Sequence, residues 1–112
     1  MSYLPNFVHN DKINYETLID RDNLVIGRCV LPKKNELFIH KHSLDEIYMI
    51  TGGSGMVYRE NKWVTVKKND YFLIKAGDYH GAKASENEDL EFTYIFPTGK
   101  FGNIKYEPRS KL

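Results

Sequence analysis

The chain contains little cysteine and no long apolar run, and both shortages narrow the classes of protein to which it can belong. Of its 112 residues one is cysteine, Cys29, so an internal disulfide framework is excluded and a reducing compartment is favoured. No apolar stretch reaches the roughly 20 residues that a membrane-spanning helix needs. The first residues also lack the basic and apolar regions of a secretory signal peptide. We therefore expect a soluble, cytoplasmic protein.

An excess of charge of one sign is also absent. Sixteen Lys and Arg residues against fifteen Asp and Glu residues leave a formal net charge of +1, so no overall field attracts nucleic acid or an acidic membrane. We expect small molecules as partners, and neither nucleic acid nor membrane. The tripeptide Ser110-Lys111-Leu112 spells a peroxisomal targeting signal, but a tripeptide also arises by chance, and we assign it no role.

What the chain does contain is enough material for one hydrophobic core. Hydrophobic residues make up 41% of the chain, with eight Tyr and six Phe among them, and 112 residues suit one domain rather than two. Short runs rich in β-branched and aromatic residues alternate with turn residues, and no strong helical period is present. This pattern predicts an all-β protein, an antiparallel sandwich or jelly-roll β-barrel. We assign residues 1–20 to an N-terminal arm of the barrel domain and residues 21–112 to the barrel itself.

Glycine, asparagine and charged residues mark the turns between the predicted strands. We interpret Gly52-Gly53-Ser54-Gly55 as a tight turn and Glu60-Asn61 as the turn of a hairpin. Asn69 is the residue of the next turn that best tolerates a left-handed backbone. The predicted strands are 24–31, 37–42, 46–51, 56–59, 62–66, 71–74 and 90–96, and in the last of them every second side chain is apolar.

Three of the four histidines lie at spacings that suit one metal ion. His40 and His42 are two residues apart in a predicted strand, so their imidazoles project from the same face. A reversal of the chain after them would let Glu46 begin the neighbouring strand beside the same centre, and His80 follows downstream. Three imidazoles and one carboxylate form a mixed nitrogen and oxygen site for one divalent ion of Mn, Fe, Co, Ni or Zn. The alternative is that these four are polar residues that hold no ion.

The same residues resemble the first sequence motif of the cupin superfamily of small β-barrels. That motif has the form Gly-x5-His-x-His-x3,4-Glu-x6-Gly, which His40, His42, Glu46 and Gly53 match. The leading glycine is missing, because Lys34 occupies its place. The resemblance implies a jelly-roll barrel that holds its metal ion with these histidines and the glutamate.

The second cupin motif is kept in spacing more than in identity. Its form is Gly-x5-Pro-x-Gly-x2-His-x3-Asn, and this chain retains Gly77 and His80. Asn69, Lys75 and Ala84 replace the first glycine, the proline and the asparagine. Loss of the proline costs some loop rigidity and no metal ligand. The two motifs together cover about residues 34–84 and imply His80 as the remaining ligand.

Other residues are candidates for contacts with a substrate. Tyr48 lies two residues after Glu46, so its phenol could act as an acid or base, or simply pack. The spacing His-x-His-x3-Glu-x-Tyr resembles that of cupin lyases that cleave dimethylsulfoniopropionate, in which this tyrosine is the base. Arg28 could anchor a carboxylate or phosphate if it faces inward, and it could equally project outward. Phe92 and Tyr94 could line the pocket or fill the core.

Two classes of function fit this set of residues. The first is a metal-dependent enzyme, an isomerase or lyase acting on a sugar, a sugar acid or another small oxygenated acid, or an iron-dependent dioxygenase. The second is a non-catalytic cupin that binds or senses a small ligand. We favour the enzyme, by analogy of fold. The exposed strand edges of a small barrel further predict a homodimer, with the N-terminal arm pairing on the sheet of the neighbour.

Overall fold

The computed structural model describes residues 13–97 and 104–109, and every regular element in these ranges is a β-strand. None of the described residues forms a helix that could cross a membrane. Residues 1–12 of the predicted arm and the tripeptide at 110–112 lie outside the described residues. The strands are β1 (Asn14–Arg21), β2 (Leu24–Leu31), β3 (Glu36–Lys41), β4 (Glu46–Arg59), β5 (Lys62–Lys67), β6 (Tyr71–Ile74), β7 (His80–Ala84), β8 (Leu90–Phe96) and β9 (Glu107–Pro108).

The strands form an antiparallel sheet that curls around one core, which confirms the jelly-roll prediction. Its main path runs in the order β1-β2-β8-β4-β7-β3-β9, and β5 and β6 pair with the two halves of β4. Strand β1 pairs with β2 of the same chain, so residues 14–21 belong to the barrel sheet. The inner faces supply the core, as the alternation in β8 predicted, since Leu90, Phe92, Tyr94 and Phe96 are all buried.

Strand β4 corrects one prediction, because the glycines at 52–55 make no turn. The chain continues as one strand of 14 residues. Its first half pairs with β6 and β8, and its second half pairs with β5 and β7. A Cβ atom at Gly53 would collide with the carbonyl oxygen of Asp89, and one at Gly55 with that of Lys83. These glycines therefore allow the close backbone approach at which β4 passes from one half of the barrel to the other.

The turns themselves follow the predicted chemistry. Glu60 and Asn61 have φ angles of 50° and 67°, so the hairpin between β4 and β5 uses two left-handed residues, as a tight two-residue turn requires. Asn69 has a φ of 80°, as expected for its turn. Lys34 has a φ of 69° at the place where the cupin motif has glycine. The backbone thus keeps the glycine conformation there, at a cost of about 1 kcal/mol for a residue with a side chain.

Gly53 and Gly52 give a matched pair of variants that tests the passage of β4 between the two halves. We expect Gly53→Ala to lower the free energy of unfolding by about 3 kcal/mol, because its φ of 75° and the overlap with Asp89 both penalise a side chain. The nearest atom to a Cβ at Gly52 is 3.8 Å away, so Gly52→Ala should change stability by less than about 1 kcal/mol. Urea unfolding measures both values. Equal effects of the two substitutions would contradict the close approach.

Candidate metal centre

The four predicted ligands all lie where strands begin or end. His40 is near the end of β3 and His42 directly follows that strand, while Glu46 begins β4 and His80 begins β7. His40 and His80 face each other as register partners of β3 and β7. All four side chains are buried, with between 0 and 4% of each residue exposed. The antiparallel pairing therefore brings residues that are up to 40 positions apart in sequence to one point inside the barrel.

The donor atoms of these residues form a tight group. One nitrogen from each of His40, His42 and His80 lies within 4.8 Å of the others. The Oε1 atom of Glu46 is 3.1 Å from Nε2 of His42 and 3.2 Å from Nε2 of His80. The structure thus brings all four sequence-predicted ligands together, three imidazoles and one carboxylate.

The backbone fixes which nitrogen of each imidazole faces the centre. In every case Nδ1 lies against a main-chain carbonyl oxygen, which can only accept a hydrogen bond, so Nδ1 carries the proton and donates it. The other nitrogen, Nε2, then faces the centre, and a neutral imidazole would offer it there as a metal ligand, the arrangement typical of metal-binding histidines. The acceptors are the carbonyls of Phe38 for His40, of Leu44 for His42 at 3.0 Å, and of Asp78 for His80 at 3.0 Å.

The centre combines one acidic side chain with three imidazoles, all of them buried. Burial, followed by the neighbouring His80, lowers the pKa of His40 to about 3, so its imidazole is neutral. Burial opposes ionisation of Glu46, but its contacts with His42 and His80 outweigh this and hold the pKa of the carboxyl below its usual value. Among the described residues His80 Nε2 has no hydrogen-bond partner, although Glu46 Oε1 is 3.2 Å away. A carboxylate oxygen therefore lies beside two ring nitrogens in a buried space.

A divalent ion fits this donor set. A proton on one imidazole forms a hydrogen bond between that imidazole and the carboxylate, and the other two imidazoles take no part in it. An ion at the centre can contact all four groups at once. Neutral imidazole and carboxylate are ligands that Mn, Fe, Co, Ni and Zn all accept, and four of them leave two positions of an octahedron open. His40, His42, Glu46 and His80 could hold such an ion.

Tyr48 lies beside the centre, on the same strand face as Glu46. It is 1% exposed, and its ring centroid is 4.6 Å from that of Phe92 and 5.9 Å from that of His80. Burial, with the charge of Glu46, raises the pKa of the Tyr48 phenol well above its usual value, so the hydroxyl stays protonated. Phe92 and Tyr94 also face inward and belong to the core cluster.

Arg28 does not reach the centre. It lies on the outer face of β2, where its side chain is 49% exposed and pairs with Glu16 at 3.7 Å. Of the two orientations that the sequence left open, the structure adopts the outward one. Inward positions on β2 are taken by apolar residues instead, and one of them is Cys29, whose thiol pKa burial raises to about 12.

Tyr106 is a neighbour of the centre that sequence reasoning missed. Its ring centroid is 5.3 Å from that of His40 and 5.4 Å from that of His42. It precedes β9, which pairs with β3 at His40 and Lys41. Burial, with the charge of Glu46, raises the pKa of its phenol. No strand pattern marks residues 104–109, so nothing in the local sequence indicated that this segment returns to the ligand strand.

Comparison with known proteins supplies a family for this fold and centre. The model of the cupin domain family matches residues 27–96, which is more than half of the chain. No curated protein sequence matches the chain.

Solved structures agree with this assignment. A Thermotoga maritima protein described as a predicted oxalate decarboxylase is 26% identical over 77% of this chain and 80% of its own, with a TM-score of 0.72. The polyketide cyclase RemF of Streptomyces resistomycificus is 15% identical over 91% of this chain and 74% of its own, with a TM-score of 0.79. The DMSP lyase DddQ of Ruegeria pomeroyi is 18% identical over 78% of this chain and 47% of its own, with a TM-score of 0.71. The last two likenesses are of fold alone, and together with the family match they lead to one conclusion: the chain belongs to the cupin family.

Proposed function

We propose that this cupin is a metal-dependent enzyme that acts as an isomerase or lyase on a small oxygenated acid, such as a sugar acid. The observation that carries the proposal is the set of four buried donors at one point, with Nδ1 of every imidazole against a main-chain carbonyl and Nε2 of His42 and His80 beside the carboxylate. A cytoplasmic location is part of the same proposal, because the chain has a single cysteine and its thiol is free.

The proposed roles follow from the positions of the residues. His40, His42, Glu46 and His80 would hold one divalent ion. Bound there, the ion would supply Lewis-acid polarisation of a carbonyl or carboxylate oxygen. Tyr48 carries a protonated phenol on the same strand face as Glu46, so its proposed part in catalysis is that of a hydrogen-bond or proton donor rather than a base.

The choice of a small acid as substrate has two supports. A cation inside an apolar barrel attracts an anion strongly, because the surrounding medium screens little of its charge. Two of the structural neighbours have names that specify carboxylic acids, oxalate in one case and DMSP in the other. The aromatic side chains around the centre favour a small molecule over a long one.

A non-catalytic ligand-binding cupin is the second candidate, and one observation favours it. Among the described residues the four ligands are the only buried polar or charged side chains other than tyrosine. The phenols of Tyr48, Tyr94 and Tyr106 all have a raised pKa through burial. Apart from the four ligands, the described part of the barrel interior therefore offers no acidic or basic side chain except these tyrosines, and turnover would depend on the ion and the substrate.

Removal of a ligand should reduce metal binding far more than it reduces folding. We expect His42→Ala to weaken the affinity for Zn or Mn by more than about 100-fold, since loss of even an outer partner of a ligand costs 10- to 100-fold. The strand spectrum in far-ultraviolet circular dichroism should stay unchanged, because the core consists of apolar strand faces. Lys41→Ala is the matched control, one residue away. Equal metal content in the wild type and a His42→Ala, His80→Ala double variant would exclude the site.

Turnover should follow metal occupancy. We expect protein loaded separately with Mn, Fe, Co, Ni and Zn to convert at least one member of a panel of oxalate, malate, glycerate and gluconate, as measured by proton NMR. The His42→Ala, His80→Ala double variant should lose that conversion. Tyr48→Phe should keep full metal content and lower the rate by about 100-fold if the phenol donates a proton.

The same panel separates the alternatives. Saturable binding of an acid by calorimetry without conversion would favour the non-catalytic cupin. Consumption of dioxygen by the iron-loaded protein alone would favour the dioxygenase. Absence of both binding and conversion in fully loaded protein would contradict the proposed substrate class.

We further propose that the protein is a homodimer, joined through the outer face of the sheet that contains β6. A lateral row of five aliphatic side chains crosses five strands of this face through consecutive register partners. Such a row has no charge and is complementary to a second copy of itself across a two-fold axis, as packed sheets require. The row consists of Ile19, Ile26, Ile95, Ile47 and Leu73, and the exposed Met49 and Tyr71 lie in the next row.

A charge in the middle of this row should break the dimer. We expect wild type to sediment at twice 13.1 kDa at micromolar concentration, and Ile47→Glu to weaken association by about 100-fold, because burial of an unpaired carboxylate costs several kcal/mol. Thr65→Glu on β5, exposed in the other half of the barrel, is the control and should leave the mass unchanged. A wild-type mass of 13.1 kDa would rule the dimer out.

A further inference from the structure

A small cavity lies outside the group of metal ligands, where the end of β4 meets the loop between β6 and β7. Its volume is about 80 Å³, room for two or three water molecules. Two basic residues, Arg59 and Lys75, and two acidic ones, Glu60 and Asp78, line it together with Ile74 and Tyr79. None of the four metal ligands contributes to its lining, so the cavity is a separate feature of the fold.

Arg59 is held in this cavity with part of its hydrogen-bonding capacity unused. Its guanidinium carbon lies 4.8 Å from the centre of the Phe72 ring, and its side chain is only 28% exposed. Its ion pair in the described structure is with the adjacent Glu60 at 3.4 Å, and that carboxylate is 65% exposed and therefore largely solvated. The Nε atom is buried and has no acceptor among the described residues. Buried donors without an acceptor are rare in folded proteins.

The surroundings define what could bind the remaining donors of the guanidinium. A guanidinium presents a planar fork that matches the two oxygens of a carboxylate or phosphate, and Lys75 adds a second positive charge. The volume admits one such group. Glu60 and Asp78 balance the two cations, which favours a single small anion over a polyanion. We propose that this cavity is a second ligand site, which binds one small oxyanion, a carboxylate or a phosphate group, through Arg59 and Lys75.

Two residues that line the proposed site are direct neighbours of metal ligands. Ile74 is the register partner of Glu46, and Tyr79 directly precedes His80. The carbonyl of Asp78 accepts the hydrogen bond that orients the His80 imidazole. An anion bound at Arg59 would therefore contact the segment that positions His80 without touching the centre itself. The proposal goes beyond the enzymatic function and does not require a metal ion.

Side-chain NMR of the arginines tests this site directly. In nitrogen-15-labelled protein, the Nε–H resonance of Arg59 is assigned by its loss in Arg59→Met. Sodium phosphate and sodium acetate are titrated in separate arms against sodium chloride at constant ionic strength. We expect the Arg59 resonance to shift and saturate at millimolar concentration in at least one arm, and the arm with tighter binding identifies phosphate or carboxylate as the ligand. Arg28, which is 49% exposed and paired with Glu16, should show no saturable shift.

Four variants keep the test decisive. Arg59→Lys keeps the charge without the fork and should bind about tenfold more weakly, as should Lys75→Met, whereas Arg28→Met should bind like wild type. The His42→Ala, His80→Ala double variant should retain full binding, so failure of the metal centre leaves this result intact. An Arg59 shift that is no larger than in chloride, or that does not saturate, would overturn the proposal. Loss of binding in the double variant would also overturn it, because the anion would then belong to the metal centre.

Discussion

A carboxylate buried among three imidazoles is the constraint on which the rest of this structure depends. Removal of one charged group from water costs several kcal/mol even after relaxation, whereas a whole domain is stable by only about 5–15 kcal/mol. Glu46 is 4% exposed and its nearest polar atoms are the ring nitrogens of His42 and His80. Such an arrangement carries a local cost in stability, which a cation or a proton shared between the groups would offset.

The barrel supplies what that centre needs through the path of one strand. Strand β4 begins at Glu46 in one half of the sheet, passes the close approach at Gly53 and Gly55, and pairs with β7 in the other half. Strand β7 begins at His80, which is opposite His40 on β3. The chain of β4 thus links the two halves of the barrel covalently, and hydrogen bonds join β7 to both β4 and β3. The pairing of the strands therefore sets where His40, Glu46 and His80 lie. The loops before β4 and β7 contribute His42 and the carbonyls that orient two of the imidazoles.

Parts of this arrangement could be predicted from the sequence because they depend on local periods. The two-residue spacing of His40 and His42 and the alternation in β8 depend on the strand period alone, and the structure agrees with both. The glycines at 52–55 were misinterpreted, because a glycine that reverses the chain and one that admits a neighbouring backbone look alike in sequence. Tyr106 was missed since its position depends on pairing of β9 with a strand some 65 residues earlier. The catalytic role of Tyr48 stays a prediction.

The hydrogen bonds that orient the three histidines share a property with a wider consequence. Each acceptor is a main-chain carbonyl only two residues away from its histidine. The side chains of Phe38, Leu44 and Asp78 take no part in these bonds, so these positions can change identity without disturbing the imidazoles. In many metal sites the outer partners are side chains and leave their own trace in the sequence. Here the outer partners are main-chain carbonyls. Related chains could therefore keep all three hydrogen bonds to the histidines while their sequences have little in common beyond the ligands themselves.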